Sequence, residues 1–333
     1  MFQPKFTITP HLLKLIEEIT TFREKIQAAT IQVAWMPLLQ RDARTRNAHG
    51  STAIEGNKLS LEHVQAVDRH QPLPTASVRA RREVENHLSA LRHIERRSKK
   101  KAMTHEDILT LHKLIAAGVM DQGEAGRYRQ IDVRVGRHNP PSHQLVSGLM
   151  KELLEWWNGR STAWSPIITS SLIHHRFEEI HPFGDGNGRT GRALALWELY
   201  RRGFDTHHIF SVDETYWEHR PRYYRAFEQV ALQGGDRTGW LEFTTEILHL
   251  TLERVWGRIQ NMKSRTGTPT LVLRPKQEEL LRLLRDRQAL APHEIWSALS
   301  ISKQGALDLL KPLIKAGLVK RVGTKKSGRY LLV

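Results

Sequence analysis

Apolar residues along this chain recur mostly at the three-and-four spacing of amphipathic helices. Leu12, Leu13, Ile16 and Ile19 mark one stripe, and Val84, Leu88, Leu91 and Ile94 a second. Ile108, Leu111, Leu114 and Ile115 mark a third, entered at Thr104, which has capping-box spacing to Asp107. Leu149, Leu153, Trp156 and Trp157 continue the pattern, and residues 170–180 and 190–201 read as two further helices. The alternation of Ile131, Val133 and Val135 between Gly126 and Gly136 instead predicts a strand or short hairpin. Periodicity breaks at Lys263-Ser264-Arg265-Thr266-Gly267-Thr268-Pro269, a predicted linker. Helices follow over about 276–285 and 292–299. A third is capped by Ser302 and ended by Gly317, and 318–322 with 329–333 read as paired strands. The chain is therefore predicted to be mainly α, with a small α+β unit at its end.

Composition narrows the class. A length of 333 residues suggests two or three domains. With no cysteine, disulfides and thiolate metal sites play no part. No segment approaches the ~20 apolar residues that span a bilayer. The start, Met1-Phe2-Gln3-Pro4, lacks a basic and apolar leader. The expectation is a cytoplasmic protein without a membrane partner. Net charge is +16, and residues 258–333 carry 16 Lys and Arg against 5 Asp and Glu, so most of the excess lies in the terminal unit.

The chemistry concentrates between two predicted helices, in His181-Pro182-Phe183-Gly184-Asp185-Gly186-Asn187-Gly188-Arg189-Thr190-Gly191-Arg192. A glycine-rich loop closing on a helix N-terminus presents free N–H groups and the positive end of the helix dipole to an anion. Gly184, Gly186 and Gly188 permit positive φ and close backbone approach. Asn187 adds a neutral donor, and Asp185 is a hard oxygen ligand suited to Mg²⁺ shared with phosphates. Arg189 and Arg192, three apart, offer guanidinium forks to phosphate oxygens. His181 is placed to take a proton from a hydroxyl. A capping turn needs none of this set in register, and the residues point to phosphoryl or nucleotidyl transfer.

At these residues the chain resembles the Fic family of protein adenylyltransferases, whose pattern His-x-Phe-x-Asp/Glu-Gly-Asn-Gly-Arg-x-x-Arg is matched throughout. The resemblance implies a helical bundle with a short β-hairpin flap, and transfer of AMP from ATP, with Mg²⁺, to a Ser, Thr or Tyr hydroxyl of a protein. It implies His181 as base, Phe183 as the loop's anchor, Asp185 on the metal, and Gly186, Asn187, Gly188, Arg189, Thr190, Gly191 and Arg192 around the phosphates. Self-modification and a homodimer are also family behaviours. The intact Gly-Asn-Gly speaks against the kinase-like Doc branch.

Beside such a core, Ser51-x-x-x-Glu55-Gly56 resembles the family's inhibitory helix, at about 48–57. Glu55 would pair with Arg192 and misplace the phosphates of ATP; AMP removal by the same glutamate stays open. Ile131, Val133 and Val135 resemble the flap that holds a target segment by main-chain pairing. Tyr224 is a candidate adenine contact, with a core aromatic as the equal alternative. The expected organisation is an N-terminal helical region at 1–100, a Fic core at 101–255, a linker at 256–270 and a terminal unit at 271–333. Helix, helix, helix and hairpin resembles a winged helix-turn-helix, with Lys303, Lys311, Lys315, Lys325, Lys326 and Arg329 as candidate DNA contacts and a protein partner as the alternative. Two rival readings are a di-iron site at Glu178-x-x-His181 and Glu246-x-x-His249, and a DNA-binding regulator whose core senses nucleotide.

Overall fold

The computed structural model describes residues 2–29, 31, 35–73, 76–136, 138–204, 207–265, 273–323 and 328–332. It contains helices α1 (Pro10–Gln27), α2 (Met36–Ile54), α3 (Leu61–Asp68), α4 (Val78–Arg96), α5 (His105–Ala116), α6 (His143–Asn158), α7 (Pro166–Ile180), α8 (Asn187–Arg201), α9 (Val212–Glu218), α10 (Arg220–Leu232) and α11 (Thr238–Arg265). After these come α12 (Pro275–Arg287), α13 (Pro292–Ala298), α14 (Lys303–Lys315) and strands β1 (Val319–Val322) and β2 (Arg329–Leu332). The chain divides into two compact units, residues 1–27 with 42–257, and residues 28–41 with 258–333. The stretch 1–100 is thus not a separate body; most of it belongs to the unit that holds 101–255.

The first unit is built on α7 and α8, which pack along each other. Nearly every residue of both is buried. This explains why neither shows a clear stripe: a helix covered on all sides is not amphipathic. Helices α4 and α5 flank α8, and α6 lies on α7. The stripe of α4 points inward as predicted, that of α5 does so at Ile108, Leu111 and Ile115 with Leu114 only partly buried, and Thr104 and Asp107 form the expected capping box. In α1 the buried face is Leu12, Leu15, Ile19 and Ile26 rather than one including Leu13, which is 49% exposed. Buried indoles are satisfied: Trp157 donates to Glu198 at 2.7 Å and Trp240 to the Ser171 carbonyl at 2.8 Å.

The second unit has its own apolar core, from Leu280, Leu284, Leu290, Ile295, Leu299, Leu310, Leu313, Val319 and Tyr330. Strands β1 and β2 are antiparallel, with Val319 opposite Leu332 and Val322 opposite Arg329. Leu290, between α12 and α13, exchanges both main-chain hydrogen bonds with Tyr330. Three helices followed by a hairpin is the expected order. Helix α11 runs to Arg265, through most of the stretch expected as linker, since Lys263, Ser264 and Arg265 are residues a helix accepts. Residues 266–270, the remainder of that stretch, lie outside the described residues, as do Lys325 and Lys326.

Candidate active site

Helix α7 ends at Ile180, and His181 caps it in the left-handed conformation (φ 49°), its N–H bonded to the Phe177 carbonyl. A non-glycine residue at positive φ is uncommon; here it turns the chain out of α7 and into the loop. Gly186, also left-handed (φ 76°), is the N-cap of α8. The amides of Asn187, Gly188 and Arg189 therefore open α8, the first-turn groups a helix leaves without internal partners.

The loop is held from below. Phe183 is fully buried and stacks on the His112 ring at 3.6 Å. His112 accepts from the Gly126 N–H at 2.9 Å, so its other nitrogen donates to the Asp185 carbonyl at 2.9 Å. Burial pushes His112 down to about 4, keeping it neutral for this task. Asn187 binds the Phe183 backbone in both directions, accepting its N–H and donating to its carbonyl, each at 2.9 Å. Its carboxamide thus staples the loop where a phosphate donor was expected. Thr190 donates to the Gly186 carbonyl at 2.8 Å, and Gly191 faces Glu178, Phe177 and His174. Both have packing roles within the bundle, since the fourth and fifth residues of α8 turn away from its open end.

Arg129 ties the flap segment to the site. Its guanidinium donates to the carbonyls of His181 (2.8 Å), Ile131 (2.9 Å) and Pro141, and its own N–H to Pro182 at 2.9 Å. The expected flap strand is not a ladder: among the described residues it is one bridged pair, Val135 with His138. Ile131 and Val135 are exposed, so apolar alternation here reflects an open edge rather than pairing within the chain.

Charge gathers at the mouth of α8. Arg192 is 2% exposed and is held by the end of α2: it donates to Ser51 Oγ at 3.1 Å, to the Ser51 carbonyl at 2.9 Å and to Glu55 Oε1 at 2.8 Å. Burial opposes its charge, but Glu55, Tyr223 and Asp213 hold its pKa well above the ordinary value. Ser51 also bonds Asp213, linking that buried carboxyl to the arginine. Glu55 is the C-cap residue of α2. Gly56 (φ 94°) donates to Ala53 and Asn57 to Thr52, a Schellman stop that fixes where Glu55 stands. Its carboxylate lies directly on Gly188, where a Cβ would collide with Oε1. The helical part ends at Ile54 and begins at Met36, well before the expected 48.

Arg189 is 4% exposed, and two of its nitrogens have no partner; Asp185 is its nearest anion, at 3.5 Å. The Asp185 side chain accepts from the N–H of Gly186 (2.5 Å) and of Asp121 (3.3 Å) and remains partly open. A lone hard carboxylate of this kind fits Mg²⁺, which completes its shell from phosphates and water. Burial brings His181 down to about 4, partly offset by a hydrogen bond to the Glu178 backbone. Tyr224 borders the end of α2, half-exposed under the Arg220 guanidinium. The second Glu-x-x-His pair does not join the first: Glu246 pairs with Arg222 at 2.8 Å and His249 with Glu18 at 3.1 Å.

Residues 102–199 match the Fic/DOC family. The chain carries a Fic domain. It is 31% identical over 227 residues to a Caenorhabditis elegans protein described as protein adenylyltransferase fic-1, covering 67% of this chain and 43% of that protein. It is 28% identical over 252 residues to the protein adenylyltransferase Fic of Culex quinquefasciatus, covering 74% and 49%. The chain thus spans about half the length of these curated relatives. Among solved structures, a Fic family protein from Desulfovibrio desulfuricans G20 superposes with a TM-score of 0.69 at 26% identity, covering 100% of this chain and 98% of that one. Fic-1 (residues 134–508) from C. elegans gives 0.67 at 25% identity, over 77% and 74%.

His112 and Arg129 are the site residues that motif reading missed, and Glu178 was singled out there only for its Glu-x-x-His spacing to His181. Arg129 left a signal, a lone Tyr-Arg after Gly126 ahead of the flap; His112 sits in an ordinary helical stripe and left none.

Proposed function

We propose that this protein is an adenylyltransferase that moves AMP from ATP to a Ser, Thr or Tyr hydroxyl of a protein, its own chain included, and that Glu55 restrains it. The observation that carries the reading is the Glu55 carboxylate seated on Gly188 and paired with Arg192. The mouth of α8 is built for an anion, and one side chain of α2 occupies it. Polyphosphate would meet the first-turn amides, the unpartnered nitrogens of Arg189, and Arg192 once Glu55 leaves. Asp185 would hold Mg²⁺, which when bound neutralises charge on the phosphates. The target oxygen attacks the α-phosphorus, its proton passes to His181, and the bond to the β-phosphate oxygen breaks, giving AMP-protein and pyrophosphate. The exposed main chain around Ile131–Val135 offers an edge to a target segment. The relatives named as adenylyltransferases support the same reaction.

The reading carries a cytoplasmic setting and leaves a homodimer and AMP removal as further expectations; among the described residues no helix is long and apolar enough to cross a membrane. The terminal unit, read as a winged helix, displays Lys303, Lys311, Lys315 and Arg329 on exposed positions. Leu307 and Ile314 share the exposed side of α14 with the three lysines, which favours a protein partner over DNA for that helix.

The test is labelling of protein by ATP in Glu55→Gly and in Glu55→Gly/His181→Ala. Label from α-labelled ATP, none from γ-labelled ATP, and loss of label in the double variant are expected. Label from the γ-position would make this a phosphotransferase instead, and none from either would remove the transfer reading.

A further inference from the structure

Glu178 lies one turn before His181 in α7 and is 8% exposed. Its Oε2 is 3.7 Å from His181 Nδ1, and its buried Oε1 has no hydrogen-bond partner. Gly191, inside the motif, makes room for it: a Cβ there would stand 2.5 Å from Oε1, with Phe177 at 3.2 Å and His174 at 3.3 Å behind. Five ionisable groups surround the carboxyl: His174, held neutral by burial, and His181 on α7, Arg192 from α8, Glu55 from the cap of α2, and Tyr223 from α10. Burial, opposed by Arg192 and reinforced by Glu55, raises Glu178 to about 8. A bare carboxyl oxygen in a packed helix costs stability that an apolar side chain would not, and such a cost is found where a group works.

We propose that Glu178 is a positioning residue for His181, whose carboxylate stabilises the imidazolium formed when the ring accepts the target's proton. This rests on His181 being the base of the transfer proposed above. Nδ1 faces Glu178, which leaves Nε2 for the hydroxyl proton. As the target oxygen bonds to phosphorus and pyrophosphate departs, the ring becomes cationic while keeping its hydrogen bond to the Glu178 backbone, and the carboxylate 3.7 Å from Nδ1, too far for a hydrogen bond, offsets that charge as an ion pair. The proton returns to solvent after the product leaves. With Glu178 protonated, the ring gains its charge with no counter-ion, so the ionised form is the active one. Glu55 is among the groups that keep Glu178 neutral, and its withdrawal favours ionisation.

Two readouts in the Glu55→Gly background decide this: the single-turnover rate of AMP transfer from pH 6 to 9.5, and the ¹⁵N shift of His181 Nδ1 in the unliganded protein, assigned by its loss in His181→Ala. The parent rate should rise with pH as Glu178 ionises, and Nδ1 should report an ionisation in the same range. Glu178→Gln should remove both the rising limb and the Nδ1 titration and lower the plateau at least about tenfold, with KM for ATP unchanged. Glu178→Asp, which keeps the charge, should retain a limb. A Gln variant with the parent's profile overturns the proposal, as does a slowed variant whose Nδ1 still titrates. If Gln misfolds, an Asp variant without a limb overturns it. If no protein transfers AMP yet Nδ1 titration vanishes with Glu178→Gln, the function fails and the pairing stands.

Discussion

The two compact units bury very different things. The terminal unit closes over leucines, an isoleucine, a valine and a tyrosine, and its buried Gln277 is satisfied by the Leu309 carbonyl at 3.0 Å. The first unit buries Arg189, Arg192, Glu178, Asp213, His87 and His174 within a few helices, and several of their polar atoms have no partner. Unpaired buried polar atoms are expensive, and their concentration around the mouth of α8 marks where the chain gives up stability for chemistry. Among the described residues the terminal unit has no such cluster of unpartnered buried polar atoms.

That contrast can be broken most severely at His181. Replacing it by Ala in the Glu55→Gly background should lower transfer by on the order of 10²–10⁴-fold, measured by label incorporation, with the protein still folded. Gly188→Ala comes next. Its methyl group would occupy the space of the Glu55 carboxylate and crowd the Arg192 guanidinium, 3.2 Å away. It should therefore free α2 yet still abolish ATP binding, read by calorimetry; retained nucleotide affinity would place the anion site elsewhere.

Acid should separate the units by stability. Burial lowers His87 and His175 to about 3 and His112 and His181 to about 4, from an ordinary 6.5. Groups with depressed folded values contribute stability that is complete above pH 6.5 and is lost as pH falls toward 4 and 3, since only the unfolded chain takes up their protons. All four lie in the first unit. Its unfolding midpoint should drop between pH 7 and 5, each kcal/mol moving it by roughly 2–4 °C, while a transition assigned to the terminal unit holds. The smallest effect belongs to that unit's surface: Lys303, Lys311 and Lys315 changed together to Glu should leave transfer within about twofold, since none of them belongs to the candidate active site. A large loss would show that the terminal unit takes part in catalysis.

The legible and illegible parts of the chain divide along physical lines. His181 through Arg192 was readable because anion binding at a helix N-terminus demands particular residue types at fixed spacing. Gly56 was readable as a helix stop, and the Schellman bonds it makes explain why Glu55 arrives at Arg192. The helix-helix-helix-hairpin order of the terminal unit followed from its stripes and glycines. What periodicity could not show is which polar residue a fold turns inward. His112 occupies a helical position that looks like any other, and the spacing of Glu178 to His181 suggested a metal pair; only the packing of α5, α7 and α8 makes one the floor of the loop and the other a buried neighbour of His181. Asn187, expected as a phosphate donor, is claimed by the Phe183 backbone, a contact invisible without the turn. The flap's alternation promised a strand, but a strand needs a partner, and among the described residues this segment pairs only Val135 with His138.

The central claim is that Glu55 closes an anion site that ATP must use. It is tested most directly by the single-turnover rate of AMP transfer from α-labelled ATP in wild type and in Glu55→Gly, at saturating ATP and Mg²⁺. The account predicts at least about a tenfold faster rate in the variant, the equivalent of 1.4 kcal/mol or more of barrier removed. Equal rates in the two proteins would contradict it.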